Sequence, residues 1–241
     1  MNLCIDQGNS RIKVALFDGE KITKKLIYKS FSSIDVERLY SLYPIENAII
    51  SSVINVEAAI INTLQHLSKK FILFDHHTKI PIVNKYQTPE TLGLDRLAAA
   101  VGAASLKPNE NLLIIDVGSA ITFDFVNSQG EYMGGNISPG LKMRLHILKQ
   151  ATKKLPLVET EERELLPLFG QSTREAIATG VVRGITYEVK GYMRTLAERL
   201  EQYQTFLTGG NAPYLLTSIG DVRYEKNLVL IGLNQILTKN L

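Results

Sequence analysis

One sequence motif occurs twice, as LCIDQGNSRIKVALFDGE at residues 3–20 and as LIIDVGSAITFDFVNSQGE at residues 113–131. Each copy is an apolar run, an Asp-x-Gly followed by a small polar residue, a second apolar run and a glycine-containing turn. Asp6 and Gly8 match Asp116 and Gly118 at a constant offset of 110 residues. A repeat of nearly half the chain predicts two structurally similar halves rather than a short-period solenoid.

The chemistry of each copy fits a phosphate-binding loop. The apolar run predicts a buried strand, and Asp and Gly sit where that strand ends. Gly8 and Gly118 leave room for a phosphate, and successive backbone N–H groups in such a turn form an anion-binding nest. Asp6 and Asp116 would face cations, because Mg²⁺ uses one or two carboxylates together with phosphates and water. The alternative for either copy is an ordinary hairpin turn. The matched register favours two loops that hold a polyphosphate across a cleft.

Composition indicates an ordinary globular protein and argues against several partners. Hydrophobic residues make up 45% of the 241 residues and charged residues 21%, as in typical soluble domains. The net charge of +3 is too small to indicate nucleic acid or an anionic membrane as a partner. No apolar stretch approaches the roughly 18 residues that a membrane helix needs. The single cysteine, Cys4, cannot form an internal disulfide, and the N-terminus lacks the features of a signal peptide. We therefore expect a cytoplasmic protein.

Predicted strands and helices alternate along the chain, which argues for an α/β fold with mixed sheets and parallel crossovers. The segment KPNEN at 107–111 is the predicted boundary between domains 1–110 and 111–241. Pro139 is predicted to open a helix that ends near residue 150, because proline is favoured in a first turn. A long helix is predicted from Thr173 to about residue 202, with interior glycines that would permit close helix packing. The other predictions are strands at 2–6, 11–17, 22–28, 48–53, 71–74, 112–116, 121–127, 131–137 and 206–210, helices at 34–43, 56–67, 92–106 and 228–237, and a surface loop at 155–169.

The doubled strand–turn–strand motif, followed by helices, resembles the acetate and sugar kinase/Hsp70/actin superfamily, whose members clamp ATP between two related domains. Further motifs follow in a fixed order: Tyr86, GLDR at 93–96, DVGSAIT at 116–122, GGNISPG at 134–140, TKKLP at 152–156, GQST at 170–173 and TGG at 208–210. In this order and spacing, the set resembles type III pantothenate kinases, the first enzymes of coenzyme A synthesis in many bacteria. The resemblance covers nearly the whole chain. It implies two related actin-like (ribonuclease H-like) domains, each a mixed sheet with flanking helices, around an ATP cleft.

The resemblance also implies a reaction, the ATP-dependent phosphorylation of pantothenate, and a role for each matched residue. Asp6 would hold Mg²⁺ through water, and Ser119 would lie in the second phosphate loop. Asp116 would bind the monovalent cation, K⁺ or ammonium, and Asp95 would be the catalytic base. The protein would be a homodimer with the acceptor site near the subunit interface. The first ATP loop would comprise Asp6, Gln7, Gly8, Asn9, Ser10, Arg11, Ile12 and Lys13, and the pantothenate site Tyr86, Gly93, Leu94, Asp95, Arg96 and Thr173.

The chemistry of the acceptor supports these roles independently. Phosphoryl transfer needs mainly positioning and charge neutralisation. Asp95 can accept the proton of the pantothenate hydroxyl, and Arg96 can pair with the pantothenate carboxylate in a bidentate fork. Without the resemblance, a weak surface ion pair at a helix start would be the favoured interpretation of these two residues. Two other functions stay open: a non-catalytic ATP-binding regulator of the same fold, and a kinase for another small hydroxy acid or sugar.

Three residues depart from the pattern of the family. Ser10 and Ser119 stand where threonine is usual, and both keep the hydroxyl, so we expect function to survive. Gln7 stands where the family usually has a small or aliphatic residue. It would alter nucleotide affinity if it pointed into the cleft, and it would need a hydrogen-bond partner if it pointed into the core.

Overall fold

The computed structural model describes residues 1–9, 11–160 and 166–241. Strands and helices alternate along these residues, as predicted. The strands are β1 (Asn2–Gln7), β2 (Ile12–Asp18), β3 (Lys21–Tyr28), β4 (Asn47–Ser52), β5 (Lys70–Leu73), β6 (Val83–Asn84), β7 (Leu112–Val117), β8 (Ala120–Val126), β9 (Glu131–Pro139), β10 (Gln204–Thr208) and β11 (Arg223–Tyr224). The helices are α1 (Ser33–Leu42), α2 (Ala58–Leu67), α3 (Leu94–Leu106), α4 (Leu141–Ala151), α5 (Thr173–Ala197), α6 (Leu216–Ile219) and α7 (Leu228–Lys239).

The elements form two compact units. The first comprises Met1–Pro108, Gly130–Tyr132 and Asn227–Leu241, and the second comprises Asn109–Gln129 and Met133–Lys226. The chain first passes from one unit to the other at Pro108–Asn109, close to the predicted boundary. However, α7 groups with the first unit, whereas the predicted division assigned all of 111–241 to the second. Among the described residues, no helix combines the length and the apolar character that a membrane span requires.

The first unit is built on a five-stranded sheet in the order β3-β2-β1-β4-β5. β1 pairs antiparallel with β2 and parallel with β4. The central strands β1 and β4 are apolar on both faces and buried along most of their length, which is typical of strands covered on both sides. The ladder between β1 and β2 ends at Gln7 and Ile12, so the first Asp-x-Gly motif lies at the carboxyl end of β1.

Two glycines bring α3 and α7 into close contact within the first unit. A Cβ at Gly232 would overlap the carbonyl of Ala98, and one at Gly102 would overlap the carbonyl of Leu228. Asn234 on α7 accepts a hydrogen bond from the Asn2 side chain at 3.0 Å and donates one to the carbonyl of Gly19 at 2.9 Å. These contacts are the physical reason that the last helix belongs to the first unit.

In the second unit the sheet order is β11-β10-β7-β8-β9. β7 pairs antiparallel with β8 and parallel with β10. One face of this sheet carries an apolar cluster that α4 and α5 cover, with Ile115 and Val117 from β7 and Ile185 and Val189 from α5 among its members. The second Asp-x-Gly motif lies at the carboxyl end of β7, which is the equivalent of its position in the first unit.

Two sequence-based predictions for the second unit are wrong in detail, and a third, for the glycines of α5, stays a prediction. Pro139 does not open a helix; it is the last residue of β9, and α4 starts at Leu141. α5 ends at Ala197 rather than near 202, because the chain must turn before Gln204 pairs with Leu112. The helix glycines do not mediate close packing within the described chain, since a Cβ at Gly180 or Gly191 would meet no heavy atom within 4 Å. Part of the predicted surface loop at 155–169 lies outside the described residues.

Candidate active site

The first phosphate-loop motif forms a tight turn between β1 and β2. Asp6 pairs with Lys13 across the two strands, and Lys13 Nζ lies 3.4 Å from Asp6 Oδ2. The turn is closed by a hydrogen bond from the backbone N–H of Gly8 to the carbonyl of Arg11, at 3.2 Å. Asp6 is only 8% exposed. The loop therefore carries an almost buried carboxylate beside one lysine.

The electrostatics of Asp6 link it to Asp95. Burial raises the pKa of Asp6, the Lys13 ammonium lowers it, and the negative charge of Asp95 raises it again, so the net shift is upward. The ionised form of Asp6 is therefore disfavoured by its surroundings. A cation beside Asp6 and Asp95 would relieve this cost, and that is the electrostatic setting in which a carboxylate helps to hold a divalent metal.

The GLDR segment forms the first turn of α3, which starts at Leu94 with Gly93 as its N-cap. Asp95 Oδ1 accepts a hydrogen bond from the backbone N–H of Arg96 at 2.9 Å. A Cβ at residue 93 would lie 2.6 Å from that same oxygen, so a larger residue there would require the carboxylate to move. The glycine and the N-terminus of α3 therefore both favour the observed orientation of the Asp95 carboxylate.

Arg96 is not a surface residue. It is 7% exposed, and its guanidinium carbon lies 5.9 Å from the centre of the Tyr86 ring. The Tyr86 ring in turn lies 6.2 Å from that of Tyr132. A buried arginine stacked on an aromatic ring is held in place, and this argues against the surface ion pair that the sequence left open. The predicted acceptor residues Tyr86, Gly93, Leu94, Asp95 and Arg96 are thus brought together in the first unit.

The second phosphate-loop motif has the same local form. The backbone N–H of Gly118 donates to the carbonyl of Ala120 at 3.0 Å, and Ser119 is exposed at the tip. Asp116 Oδ1 lies in a cradle of glycines: a Cβ at Gly118 would come within 3.3 Å of it, and one at Gly209 would overlap it. Gly209 has φ +96°, a conformation that favours glycine. The cradle keeps side-chain carbon away from this oxygen.

Two further segments hold the second loop, through residues to which the sequence analysis assigned no role. Asn211 follows the Thr-Gly-Gly motif and donates its backbone N–H to the carbonyl of Val117 at 2.9 Å. Its side-chain amide donates to the carbonyl of Gly118 at 3.0 Å. Gly140 packs on the other side, where a Cβ would overlap the carbonyl of Ser119. The only sequence signals were that Gly140 ends the motif GGNISPG and that Asn211 directly follows the motif TGG.

Arg144 fixes the segment that contains Gly140. Its Nε donates to the carbonyl of Pro139 at 2.7 Å, and its terminal nitrogen donates to the hydroxyl of Ser138 at 2.9 Å. The same guanidinium pairs with Glu188 on α5. One arginine therefore ties the end of β9 to two helices, directly behind the second loop.

The remaining predicted residues have varied surroundings. Thr173 is the first residue of α5 and is exposed, after Ser172, which caps the helix by accepting from the Glu175 N–H. Gln7 is 9% exposed, and its backbone carbonyl accepts from the Val53 N–H at 3.2 Å. Ile12 is a member of the apolar core, so its side chain is not available to a nucleotide. Asn9 and Arg11 are exposed, and Ser10 lies outside the described residues.

Comparison with known proteins decides the family. A family model described as type III pantothenate kinase matches residues 2–195. The chain belongs to the type III pantothenate kinase family. A type III pantothenate kinase from Bacteroides fragilis (strain YCH46) is 43% identical over 242 residues, which cover 100% of this chain and 98% of the relative. One from Cytophaga hutchinsonii is 38% identical, with 100% of both chains covered. The family predicted from the ordered motifs is thus confirmed.

Solved structures confirm the predicted fold of this type III pantothenate kinase family member. A Campylobacter jejuni protein named for the Baf family of transcriptional activators has a TM-score of 0.66 at 22% identity, with 99% of this chain and 98% of that chain covered. The ROK hexokinase of Thermus thermophilus has a TM-score of 0.56 at 15% identity, with the same coverage. At these identities the likeness concerns the fold alone, which is that of the sugar kinases and actin-like ATPases.

Proposed function

We propose that this protein transfers the γ-phosphoryl group of ATP to the primary hydroxyl of pantothenate, giving 4′-phosphopantothenate. The observation that carries the proposal is membership of the type III pantothenate kinase family over the full length of the chain. The arrangement of Asp6, Asp95 and Arg96 supports it from chemistry. A kinase of small alcohols needs a cation-facing carboxylate, a proton acceptor and an anchor for the acceptor, and these three residues supply them.

Asp95 has the role of general base in this proposal. Its carboxylate would accept the proton of the pantothenate hydroxyl as that oxygen attacks the γ-phosphorus. The hydrogen bond from the Arg96 N–H to Asp95 Oδ1 leaves the other carboxylate oxygen for the substrate. Arg96 would pair with the carboxylate of pantothenate, and Tyr86, stacked with its guanidinium, would keep the fork oriented.

The nucleotide phosphates are assigned to the two glycine loops. Backbone N–H groups of the turns that contain Gly8 and Gly118 would bind the phosphates, and Lys13 and Ser119 would add side-chain donors. Bound Mg²⁺ would neutralise charge on the phosphates during transfer. Asp6 fits the role of its water-mediated holder, because the carboxylate is buried, carries a raised pKa and faces the charge of Asp95. Asp116, with Oδ1 free of side-chain carbon on the glycine side, fits the monovalent cation, K⁺ or ammonium.

A competition experiment tests the choice of acceptor. The protein is incubated with Mg-ATP, K⁺ and an equimolar mixture of pantothenate, small hydroxy acids and hexoses, and the products are identified by mass spectrometry. We expect phosphopantothenate as the dominant product. A dominant phosphorylated sugar or other hydroxy acid would mean a kinase of different specificity. ATP binding without any phosphorylated product would favour the alternative of a non-catalytic regulatory protein of the same fold.

We also propose that the protein is a homodimer, as the resemblance to the family implied. The apolar side chains of Met143 and Ile147 on α4 and of Tyr187 on α5 are about half exposed. Light scattering tests this assignment: a mass of two chains is expected, and a mass of one chain at micromolar concentration would contradict it.

A further inference from the structure

Strand β8 contains a buried hydroxyl that nothing in the catalytic assignment uses. The Oγ1 atom of Thr122 is inaccessible to solvent and has no hydrogen-bond partner among the described residues. Most buried polar side-chain atoms in proteins have a partner, since the loss of hydration is otherwise uncompensated. A hydroxyl left in this state calls for a specific explanation, and a bound ion is one of the few available.

The sheet register places Thr122 beside Asp116. The two residues are direct partners in the antiparallel ladder between β7 and β8, so their Cα atoms are about 4.5–5.5 Å apart. Val117 and Ile121, their neighbours in sequence, belong to the apolar cluster under α4 and α5. Because side chains alternate along a strand, Asp116 and Thr122 share the opposite face of the sheet.

The residues next to Asp116 are threonines on the neighbouring strands and glycines without a side chain. Thr208 on β10 is its partner on the other side, so the carboxylate has a threonine on each neighbouring strand. Gly118 and Gly209 remove the Cβ atoms that would otherwise crowd Oδ1. Among the described residues, no group of three or more His, Cys, Asp or Glu side chains could hold a metal ion. Asp116 therefore has neutral threonine residues on both sides, and Asp124, a further buried carboxylate, lies two residues along the same face of β8 from Thr122. A carboxylate beside neutral oxygens suits a monovalent cation.

We propose that Thr122 Oγ1 is a further ligand of the monovalent cation assigned to Asp116. The inference rests on the proposed function for the identity of the ion, but not for the existence of the site. Alkali cations exchange their hydration shell for neutral protein oxygens, and a threonine hydroxyl offers such an oxygen without adding charge. A bound cation would compensate the hydroxyl for the hydration that it loses on burial.

The decisive variant is Thr122→Val, which keeps the shape of the side chain and removes only the hydroxyl. Thr179 on α5 offers a matched control: it is 3% exposed, and its Oγ1 is also buried without a partner among the described residues. Thr179→Val therefore makes the same chemical change at a position outside the β7–β8 ladder. Both variants should have an unchanged or slightly higher Tm without K⁺, because each loses an uncompensated hydroxyl. That result would also establish that both fold.

The readout is the rise in Tm on titration with KCl against choline chloride at constant ionic strength, with Mg²⁺ and a non-hydrolysable ATP analogue. A ligand that binds only the folded state raises Tm as its concentration exceeds its Kd. We expect the wild type and Thr179→Val to show the same K⁺ response. Thr122→Val should need at least tenfold more K⁺ for the same shift. The K⁺ concentration for half-maximal ADP release should rise similarly, with the pantothenate KM little changed.

Two results would overturn the inference in different ways. In the first, Thr122→Val shows the same K⁺ response as the wild type, whereas Asp116→Asn shows none. This result would support the cation site at Asp116 and exclude the Thr122 hydroxyl as a ligand. No K⁺ response in the wild type would exclude the cation site itself. Conversely, loss of the K⁺ response in Thr122→Val without any pantothenate phosphorylation by the wild type would keep the site and exclude the proposed reaction.

Discussion

At the scale of single residues, the site depends on carboxylates that are poorly solvated because they are partly or almost fully buried. Asp6 is the clearest example, since burial and the charge of Asp95 outweigh the attraction of Lys13 and raise its pKa. Such a group lowers the stability of the folded protein whenever it is ionised. The same property makes it a good partner for a metal. Stability and catalysis therefore make opposite demands on this residue.

The raised pKa of Asp6 predicts a pH-dependent effect of Asp6→Asn. Between the ordinary carboxyl pKa and the raised folded value, the folded state binds the proton more tightly, so wild-type stability falls as pH rises through that interval. In metal-free buffer at pH 7, Asp6→Asn should therefore have a higher Tm than the wild type, while turnover is lost. As pH falls through the same interval the difference should shrink, because both side chains are then neutral. Thermal unfolding at several pH values measures it.

Asp18→Asn is the matched control for this experiment, since Asp18 is an exposed carboxylate at the end of β2, the strand that pairs with the strand of Asp6. Its Tm should stay close to that of the wild type across the range. A lower Tm for Asp6→Asn at pH 7 would mean that the pairing of Asp6 with Lys13 outweighs burial.

At the scale of elements, the second phosphate loop is supported from behind by the end of β9. Arg144 on α4 holds Pro139 and Ser138, and Gly140 then packs on the carbonyl of Ser119. This support explains why the sequence-based prediction at Pro139 failed. The preference of proline for the start of a helix is local. Here Pro139 instead continues strand β9, because Arg144 from the following helix donates a hydrogen bond to the Pro139 carbonyl.

Arg144→Met should weaken nucleotide binding more than acceptor binding. The variant keeps an apolar stem and loses the donors to Pro139 and Ser138, so the backbone behind Ser119 becomes less fixed. We expect the KM for ATP to rise about tenfold, which corresponds to about 1.4 kcal/mol, with a smaller change in the pantothenate KM. Lys142→Met, an exposed change on the same helix, is the control. Equal kinetics in the two variants would show that the arginine has no part in positioning the loop.

The phosphate-loop elements were readable from sequence for a physical reason. Apolar runs that end in Asp-x-Gly report a buried strand and a tight turn, both of which depend on local chemistry. β1, β2, β7 and β8 accordingly lie within a residue or two of their predicted bounds. The roles of Asn211, Gly140 and Arg144 could not be read in this way, because each acts through contacts with a segment distant in sequence.

At the scale of the whole molecule, the chain returns to its first unit at the end. The apolar pattern of α7 predicts a helix correctly, but it contains no information about which unit covers that helix. The answer depends on a match between Gly232 and the carbonyl of Ala98, and between Gly102 and that of Leu228. The sequence alone does not reveal such a match, because it depends on how the two helices cross in the folded protein.

Gly232→Ala should therefore destabilise the protein strongly. The added Cβ has no space at the crossing of α3 and α7, and overpacking of this kind costs about 1–3 kcal/mol or more. Gly191→Ala on α5 is the matched control, because its Cβ would meet no heavy atom within 4 Å. Alanine there should stabilise the helix by up to about 1 kcal/mol. Urea unfolding measures both free energies, and a Gly232→Ala variant as stable as the wild type would contradict the packing described here.

Steady-state ADP release by the wild type and by Asp95→Asn, each with and without pantothenate in Mg-ATP and KCl, is the most direct test of the proposed reaction. We expect release that requires pantothenate in the wild type and falls at least a hundredfold in kcat in the variant. ATP binding, measured separately, should be unchanged. Pantothenate-independent release, or full turnover by Asp95→Asn, would contradict the assignment of this protein as a pantothenate kinase with Asp95 as its base.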